Sequence, residues 1–131
     1  MGSIRKQVNL SAPVDEVWAA VRDFGALHER LVRGFVTSTE MDGRDRIVTF
    51  ANGASQREPL VALDDGRRRL VYTAVDSLLG ATHYNAAVEV RASGDGGATL
   101  EWLIDFLPDD IHDRLDAAMD MGAAAMRATF S

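Results

Sequence analysis

Hydrophobic residues in this chain repeat with two different periods, and the change of period separates a long helix from a series of strands. Within residues 108–130 the large apolar residues are spaced by four or seven positions: Ile111, Leu115, Met119, Met126 and Phe130. Such spacing places them on one face of a helix. The pattern therefore predicts a C-terminal helix of about 21 residues, about 32 Å long at 1.5 Å per residue. We expect Asp109 and Asp110 to cap its first turn.

The middle of the chain alternates between apolar and polar residues, which is typical of strands with one buried face. Turn sequences such as Asp42-Gly43, Asn52-Gly53 and Asp65-Gly66 separate these segments. Together with an alternating N-terminal stretch, they predict seven strands, at residues 4–10, 35–40, 46–50, 56–63, 69–75, 83–90 and 98–106. Between the first two strands, helical spacing that opens at Pro13 predicts one helix, and residues 26–31 predict a second, shorter one.

This order of elements predicts an α+β fold in one domain, residues 1–131. Six consecutive strands joined by short turns form an antiparallel meander, and long antiparallel sheets curl. We therefore expect a seven-stranded curved antiparallel sheet that wraps around the long C-terminal helix. On the inner face of that helix the small residues Ala118, Gly122 and Ala123 leave two interpretations open. Either the helix contacts the sheet closely, or a hollow lies beneath it.

Composition and charge narrow the classes of partner. The net charge is −6 and the longest basic run is Arg67-Arg68-Arg69, so no nucleic-acid partner is expected. No apolar run reaches the length of a membrane span, and no signal-peptide core is present, which predicts a cytoplasmic protein without a membrane span. The chain has no cysteine, and its three histidines lack metal-ligand spacing, so neither a metal nor a cofactor is expected. The Arg- and Ala-rich composition predicts a bacterial source, and the chain could be a monomer or a homodimer.

Several short motifs together resemble the START-like, or SRPBCC, superfamily. They are Ala12-Pro13-x-x-x-Val17-Trp18, Glu58-x-Leu60, the strands of Tyr72 and Tyr84, and Glu101-Trp102 followed by Phe106-x-Pro108. This superfamily includes polyketide cyclase/dehydrase-type proteins, Bet v 1-like pollen allergens and plant abscisic-acid receptors. The resemblance implies a helix-grip fold with an apolar cavity between the sheet and the C-terminal helix. Members bind lipids, hormones or polyketides there, and some catalyse cyclisation or dehydration.

A carboxylate on an apolar strand face is the first candidate for chemistry. Glu58 has the parity of Leu60, so it points into the cavity if that face lines it. The matching glutamate of abscisic-acid receptors faces the ligand, and the resemblance therefore implies the same orientation. A buried carboxylate could act as a general acid or base. The alternative is a salt bridge to a strand arginine, Arg46 or Arg57.

Aromatic residues give the second set of candidates. Tyr84, Tyr72 and Trp102 each lie on an apolar strand face, either as ligand contacts or as packed core residues. The methionines of the long helix could likewise form core or an adaptable pocket wall. The predicted catalytic residues are Glu58 and Tyr84. The predicted ligand-binding residues are Leu60, Tyr72, Tyr84, Ala86, Trp102, Ile104, Leu115, Met119, Gly122, Ala123 and Met126.

Two loops could form the entrance. By their order in the chain, Ala51–Ser55 and Asp76–Ala81 correspond to the gate and latch loops of the hormone receptors that the sequence resembles. Leu78 and Leu79 would cover the cavity mouth or contact a second subunit. The preferred function is binding of a hydrophobic small molecule. The alternatives are a cyclase or dehydratase in which Glu58 moves protons and Tyr84 polarises a carbonyl, or a ligand-free protein-interaction module.

Overall fold

The computed structural model describes residues 1–75 and 77–130. Asp76, the first residue of the predicted second loop, and Ser131, the last residue of the predicted domain, lie outside the described residues. In chain order the elements are β1 (Gly2–Leu10), α1 (Val14–Arg22), α2 (Leu27–Arg30), β2 (Val36–Asp42), β3 (Asp45–Phe50), β4 (Ser55–Asp64), β5 (Arg69–Thr73), β6 (His83–Ala92), β7 (Ala98–Leu107) and α3 (His112–Thr129).

All seven strands belong to one antiparallel sheet with the spatial order β1-β7-β6-β5-β4-β3-β2. Strands β2 to β7 form the predicted meander, and β1 returns to pair with β7, the strand last in sequence. The curved antiparallel sheet around a long C-terminal helix, which the pattern predicted, and the helix-grip fold, which the resemblance implied, are both confirmed, with two short helices after β1. Among the described residues, no helix combines the length and the apolar character needed to cross a bilayer.

The C-terminal helix begins differently from the prediction. It opens with a 3-10 turn, Asp109–Ile111, and continues as α3, so that the two together span 21 residues. Neither Asp109 nor Asp110 caps it, since no side-chain hydrogen bond is made at either helical start. The backbone N–H of Ile111 bonds instead to the carbonyl of Pro108 at 3.4 Å, which satisfies a donor that a cap would otherwise take.

Helix α3 packs mainly against β1, at one edge of the sheet. At this contact the Lys6 ammonium lies 2.6 Å from the Asp116 carboxylate and 2.9 Å from that of Asp120. The side chains beneath this edge are fully buried, as the 0% exposure of Leu100 and Phe106 illustrates. The sheet and the helix are therefore in close contact along β1 and β7.

Helix α1 is attached to the sheet through hydrogen bonds to the turn between β4 and β5. The indole N–H of Trp18 donates to the Asp65 carboxylate at 2.9 Å, and the Arg22 guanidinium donates to the same group at 2.8 Å. The inner face of α1 buries Val17 and Val21 against the core. Helix α1 thus closes one end of the space between the sheet and α3.

Candidate functional site

A cavity of about 700 Å³ lies between α3, the two short helices and the inner face of β3, β4 and β5. Most of its wall is apolar, with Val48 from β3, Leu70 from β5, Val88 from β6, Trp102 from β7 and Met119 from α3. This volume falls in the range of about 300–1,000 Å³ that is usual for small-molecule sites. The cavity is therefore large enough for a ligand of several rings.

Exposed residues at one end of the cavity mark its mouth. Ala51 and Asn52 come from the turn between β3 and β4, Leu78 from the loop between β5 and β6, and Met121 from α3. Both predicted loops therefore contribute to the entrance. The structure separates the three helical methionines: Met119 and Met126 are buried, whereas Met121 is 62% exposed at the mouth. Met121 thus belongs to the rim and not to the core.

A buried ion pair forms the polar part of the wall. Arg46 of β3 lies directly opposite Glu58 of β4 in the antiparallel register. Its Nε donates to Glu58 Oε1 at 2.8 Å, and the side chains are only 5% and 6% exposed. The amide of Gln56 donates to the other oxygen, Oε2, also at 2.8 Å. Both carboxylate oxygens of Glu58 therefore have a hydrogen-bond donor.

Aromatic rings hold the Arg46 guanidinium in place. Its central carbon lies 4.0 Å from the ring centre of Phe24 and 4.8 Å from that of Tyr72, which gives two cation–π contacts. Nη1 also donates to the backbone carbonyl of Phe24 at 3.4 Å. The charge of Arg46 is thus balanced by a carboxylate and two aromatic faces, which compensates for its burial.

Two phenols stand next to this ion pair. The rings of Tyr72 and Tyr84 are 6.5 Å apart, and both border the cavity. Burial raises the pKa of Tyr72 well above its usual range, and the Glu58 charge raises it further. Burial also raises the pKa of Tyr84, with smaller contributions from Tyr72 and Glu58. Both hydroxyls therefore keep their protons at physiological pH and can donate hydrogen bonds.

The indole of Trp102 completes this wall. Its Nε1 is buried and has no partner at hydrogen-bond geometry among the described residues. The six-membered ring of the indole lies against Gly122 of α3. A Cβ added to this glycine would stand 3.0 and 3.1 Å from two ring carbons, so there is no free space beside it. Close helix–sheet contact is therefore the correct interpretation of Gly122, and the hollow lies elsewhere.

Comparison with known proteins identifies the family to which the chain belongs. The family model described as polyketide cyclase / dehydrase and lipid transport matches residues 1–130. The chain belongs to this family, within the START-like superfamily. No curated protein sequence matches it.

Several solved structures share the fold. An uncharacterised protein of Bacillus thuringiensis has a TM-score of 0.88 at 18% identity, with 98% of each chain covered. A Thermobifida fusca protein has a TM-score of 0.79 at 28% identity, covering 98% of this chain and 89% of its own. The di-domain ARO/CYC protein BexL from the BE-7585A biosynthetic pathway has a TM-score of 0.85 at 16% identity, covering 98% of this chain and 46% of BexL.

The structure brings together seven of the predicted site residues of this family member. These residues border the cavity: Glu58, Tyr72, Tyr84, Trp102, Leu115, Met119 and Met126. Five others do not border it: Leu60, Ala86, Ile104, Gly122 and Ala123. Ala86 and Ile104 face each other across β6 and β7 and are 0% exposed, so their neighbours cover them.

The remaining three residues have different reasons for lying outside the cavity. Gly122 lies against the Trp102 ring. Its neighbour Ala123 is buried in the hydrophobic core. Leu60 has the predicted parity and pairs with Tyr72, but it is only partly buried, at the margin of the core. Alternation along a strand therefore predicted which face of the sheet a side chain lies on. It did not predict where along that face the cavity lies.

Sequence reasoning missed several wall residues. Arg46 entered the prediction only as an ion-pair partner of Glu58, and Gln56 was not considered. Parity could have found both, since Arg46 shares the face of Val48 and Gln56 shares the face of Glu58. Phe35 and Phe50, whose rings meet edge-on at 5.4 Å and border the cavity, were also missed. Among the described residues, no three His, Asp or Glu side chains are grouped so that they could hold a metal ion.

Proposed function

We propose that this protein binds an apolar small molecule in the cavity beneath β3, β4 and β5. The observation that carries the proposal is the combination of a mouth, a volume of about 700 Å³ and a largely apolar wall. The family description, which includes lipid transport, supports it. The rim residues Leu78 and Met121 are exposed apolar side chains that a bound guest would partly cover.

The state of Glu58 favours binding over catalysis. A general acid or base needs an oxygen that can exchange a proton with the substrate. Here Arg46 and Gln56 occupy both oxygens at 2.8 Å. A proton taken up by Glu58 would neutralise the counter-ion of the buried Arg46 guanidinium, which is strongly unfavourable.

A cavity-filling variant tests the proposal. Ala118 of α3 borders the cavity, whereas the adjacent Ala117 is exposed and does not. In the Ala118→Trp variant the indole should occupy space that a guest needs. We expect the neutral dye Nile red to bind the wild-type protein saturably, and Ala118→Trp to weaken this binding by about tenfold or more. Ala117→Trp, the matched control, should bind the dye like the wild type.

Two results would refute binding in the cavity. One is the absence of saturable dye binding to a correctly folded protein. The other is an equal loss of affinity in the Ala117 and Ala118 variants. Native mass spectrometry of freshly purified protein provides an independent readout, because a retained guest appears as added mass that Ala118→Trp should reduce.

A cyclase or dehydratase activity is the second candidate. Its support is the family description and the two phenols that face the cavity. Tyr84 would be the better candidate than Glu58, because a protonated phenol can polarise a carbonyl by donating a hydrogen bond. Tyr84→Phe should then reduce turnover of a polyketide-like substrate by about 10²–10⁴ with little effect on its binding. A ligand-free interaction module is disfavoured, because such a domain has no need of an internal cavity of about 700 Å³.

A further inference from the structure

The two loops at the mouth of the cavity are attached to the protein in different ways. The turn between β3 and β4 is closed by its own backbone, since the N–H of Phe50 donates to the carbonyl of Ala54 at 2.8 Å. The next N–H, that of Ala51, donates to the carbonyl of Phe35 at 3.1 Å and ties the turn to the segment before β2. This side of the mouth is therefore fixed by backbone hydrogen bonds.

The opposite side of the mouth is formed by residues 77–82, between β5 and β6, which we call the mouth loop. Within its described residues 77–81, the hydrogen bond that leads out of the loop joins the N–H of Leu78 to Oε1 of Gln56, at 3.5 Å. The Leu79 side chain also packs against the core. The apolar tip of the mouth loop is thus held by one side-chain contact and one hydrogen bond.

Gln56 lies between the mouth loop and the buried ion pair. The residue is only 7% exposed, and its Nε2 donates to Oε2 of Glu58 at 2.8 Å while its Oε1 accepts from Leu78. A carboxylate can only accept and a backbone N–H can only donate, so these two partners determine which way the amide points. Gln56 therefore connects the loop to Glu58, which Arg46 holds from the other side at 2.8 Å.

The two hydrogen bonds of Gln56 differ in strength. The bond to Glu58 is short and buried and has an ionised acceptor, which makes it the stronger one. The bond to Leu78 is long for an N–H···O contact and holds a residue that is 46% exposed. The outer bond therefore breaks first, and the mouth loop can move while the ion pair stays intact.

We propose that Gln56 is a positioning residue, which ties the mouth loop to the Arg46–Glu58 pair and thereby controls how easily a guest passes Leu78. The statement about the guest rests on the proposed function, whereas the tie is a property of the empty protein. In this arrangement the ion pair is the anchor, the mouth loop is the moving part, and Gln56 is the link between them.

Amide exchange in the ligand-free protein tests the tie. Gln56→Met keeps the length of the side chain and removes its strong donor and acceptor. In NMR measurements of exchange with water, the Leu78 N–H should exchange about three- to tenfold faster in this variant, as expected for the loss of one hydrogen bond. The N–H groups of Val75 and Thr82 are internal references, because they donate to backbone carbonyls of β4 and β7 at 3.0 and 2.8 Å. Their exchange rates should not change.

Two further variants test whether the ion pair is the anchor. Arg46→Met/Glu58→Leu removes the acceptor of Gln56 Nε2. The Leu78 N–H should then exchange faster by about threefold or more, because the link has lost its fixed end. Arg57→Met is the matched control, since Arg57 follows Gln56 on β4 but pairs with two aspartates and does not border the cavity. It should leave the exchange of Leu78 unchanged.

Binding kinetics test the consequence for entry. In stopped-flow mixing with Nile red, Gln56→Met should raise the association and dissociation rates by a similar factor, about three- to tenfold, with Kd changed by less than about twofold. The two rates should rise together because the mouth loop is released in both the free and the occupied protein. A direct contact between Gln56 and the guest would instead change Kd, mainly through the dissociation rate.

The possible outcomes separate this inference from the proposed function. Equal acceleration of exchange at Leu78 and at both reference amides would indicate general loosening and overturn the tie. Unchanged exchange of Leu78 in Arg46→Met/Glu58→Leu would overturn the role of the ion pair as the anchor. A changed Kd at an unchanged association rate would overturn the positioning role of Gln56. Failure of Nile red to bind would refute the proposed function, whereas the amide exchange rates would still decide whether Gln56 ties the loop.

Discussion

The two halves of the sheet meet the C-terminal helix differently. Along β1, β7 and the Val90 end of β6, which we call the closed half, the inward apolar side chains are buried and none borders the cavity except Trp102. Along β3, β4 and β5, the open half, inward residues such as Val48, Glu58 and Leu70 border a space of about 700 Å³. One sheet and one helix thus provide both the packed core and the candidate site.

The inward side chains explain much of this difference. Aliphatic and aromatic residues such as Leu100, Ile104 and Phe106 fill the closed half with no exposed surface. The open half carries the Arg46–Glu58 pair and Gln56, polar groups that hydrogen-bond to each other. Apolar close packing would have to bury such groups against surfaces that offer no hydrogen bonds. The comparison suggests that the polar network helps to keep the open half open.

The largest expected effect comes from breaking that network. Arg46→Met leaves Glu58 buried without its cation, which should lower the free energy of unfolding by about 3–5 kcal/mol. Arg46→Met/Glu58→Leu removes both charges and should recover most of this loss, because an apolar pair of similar volume is often neutral or stabilising there. Urea unfolding of the three proteins measures both changes. A loss below about 1 kcal/mol in the single variant would mean that the pair does not hold the open half together.

A smaller effect should distinguish the halves through one strand. Val88 and Val90 lie on the same face of β6 and are 4% and 2% exposed, but only Val88 borders the cavity. Val90→Ala should cost about 2–3 kcal/mol, since about 0.8 kcal/mol is lost per buried methylene and a new void is left. Val88→Ala should cost less, about 1–2 kcal/mol, because it extends an existing space. Equal losses in urea unfolding would contradict the division into two halves.

The smallest effect concerns the helix contact of the closed half and depends on pH. The Lys6 ammonium, which hydrogen-bonds to Asp116, lowers the pKa of Asp116 below its usual 3.8. A carboxylate whose pKa is lowered by folding stabilises the protein above its unfolded pKa, and this contribution disappears as the pH falls through the folded pKa. Asp116→Asn should therefore be slightly less stable than the wild type at pH 7 and equal to it in strong acid.

The control for this measurement is Glu40→Gln, which removes an exposed carboxylate that forms no ion pair among the described residues. When the melting temperature is plotted against pH across the acid range, the wild-type and Glu40→Gln curves should run in parallel. A difference between wild type and Asp116→Asn that stays constant with pH would show that the ion pair with Lys6 does not fasten α3 to β1.

Much of the fold followed from local pattern. The period of two gave all seven strands, and the four- and seven-residue spacing gave the long helix. Both periods follow from local backbone geometry, which alternates side chains across a strand and returns them to the same face of a helix every three to four residues. The capping role of Asp109 and Asp110 was wrong because a 3-10 turn satisfied a backbone donor first. Alternation also placed Glu58 on the inner face of its strand, where the structure shows the residue to be only 4% exposed.

The position of the void could not be obtained in this way. Tyr84 and Ala86 have the same parity on β6, yet only Tyr84 borders the cavity, and the same holds for Trp102 and Ile104 on β7. A cavity is the space left between two elements after every contact has been made, and neither element's pattern encodes it. Gly122 illustrates the point, because the Trp102 ring fills the place where the sequence permitted a hollow.

By itself, the sequence determined the elements, the face on which each side chain lies and the absence of cysteine chemistry. Only the tertiary structure decided that Arg46 stands opposite Glu58, because that depends on the register between β3 and β4. It also decided that Tyr72, Tyr84 and Trp102 share one wall, since three strands bring them together from distant positions in the chain. Alternation within a strand is local, whereas register and the placement of α3 result from all the packing contacts together.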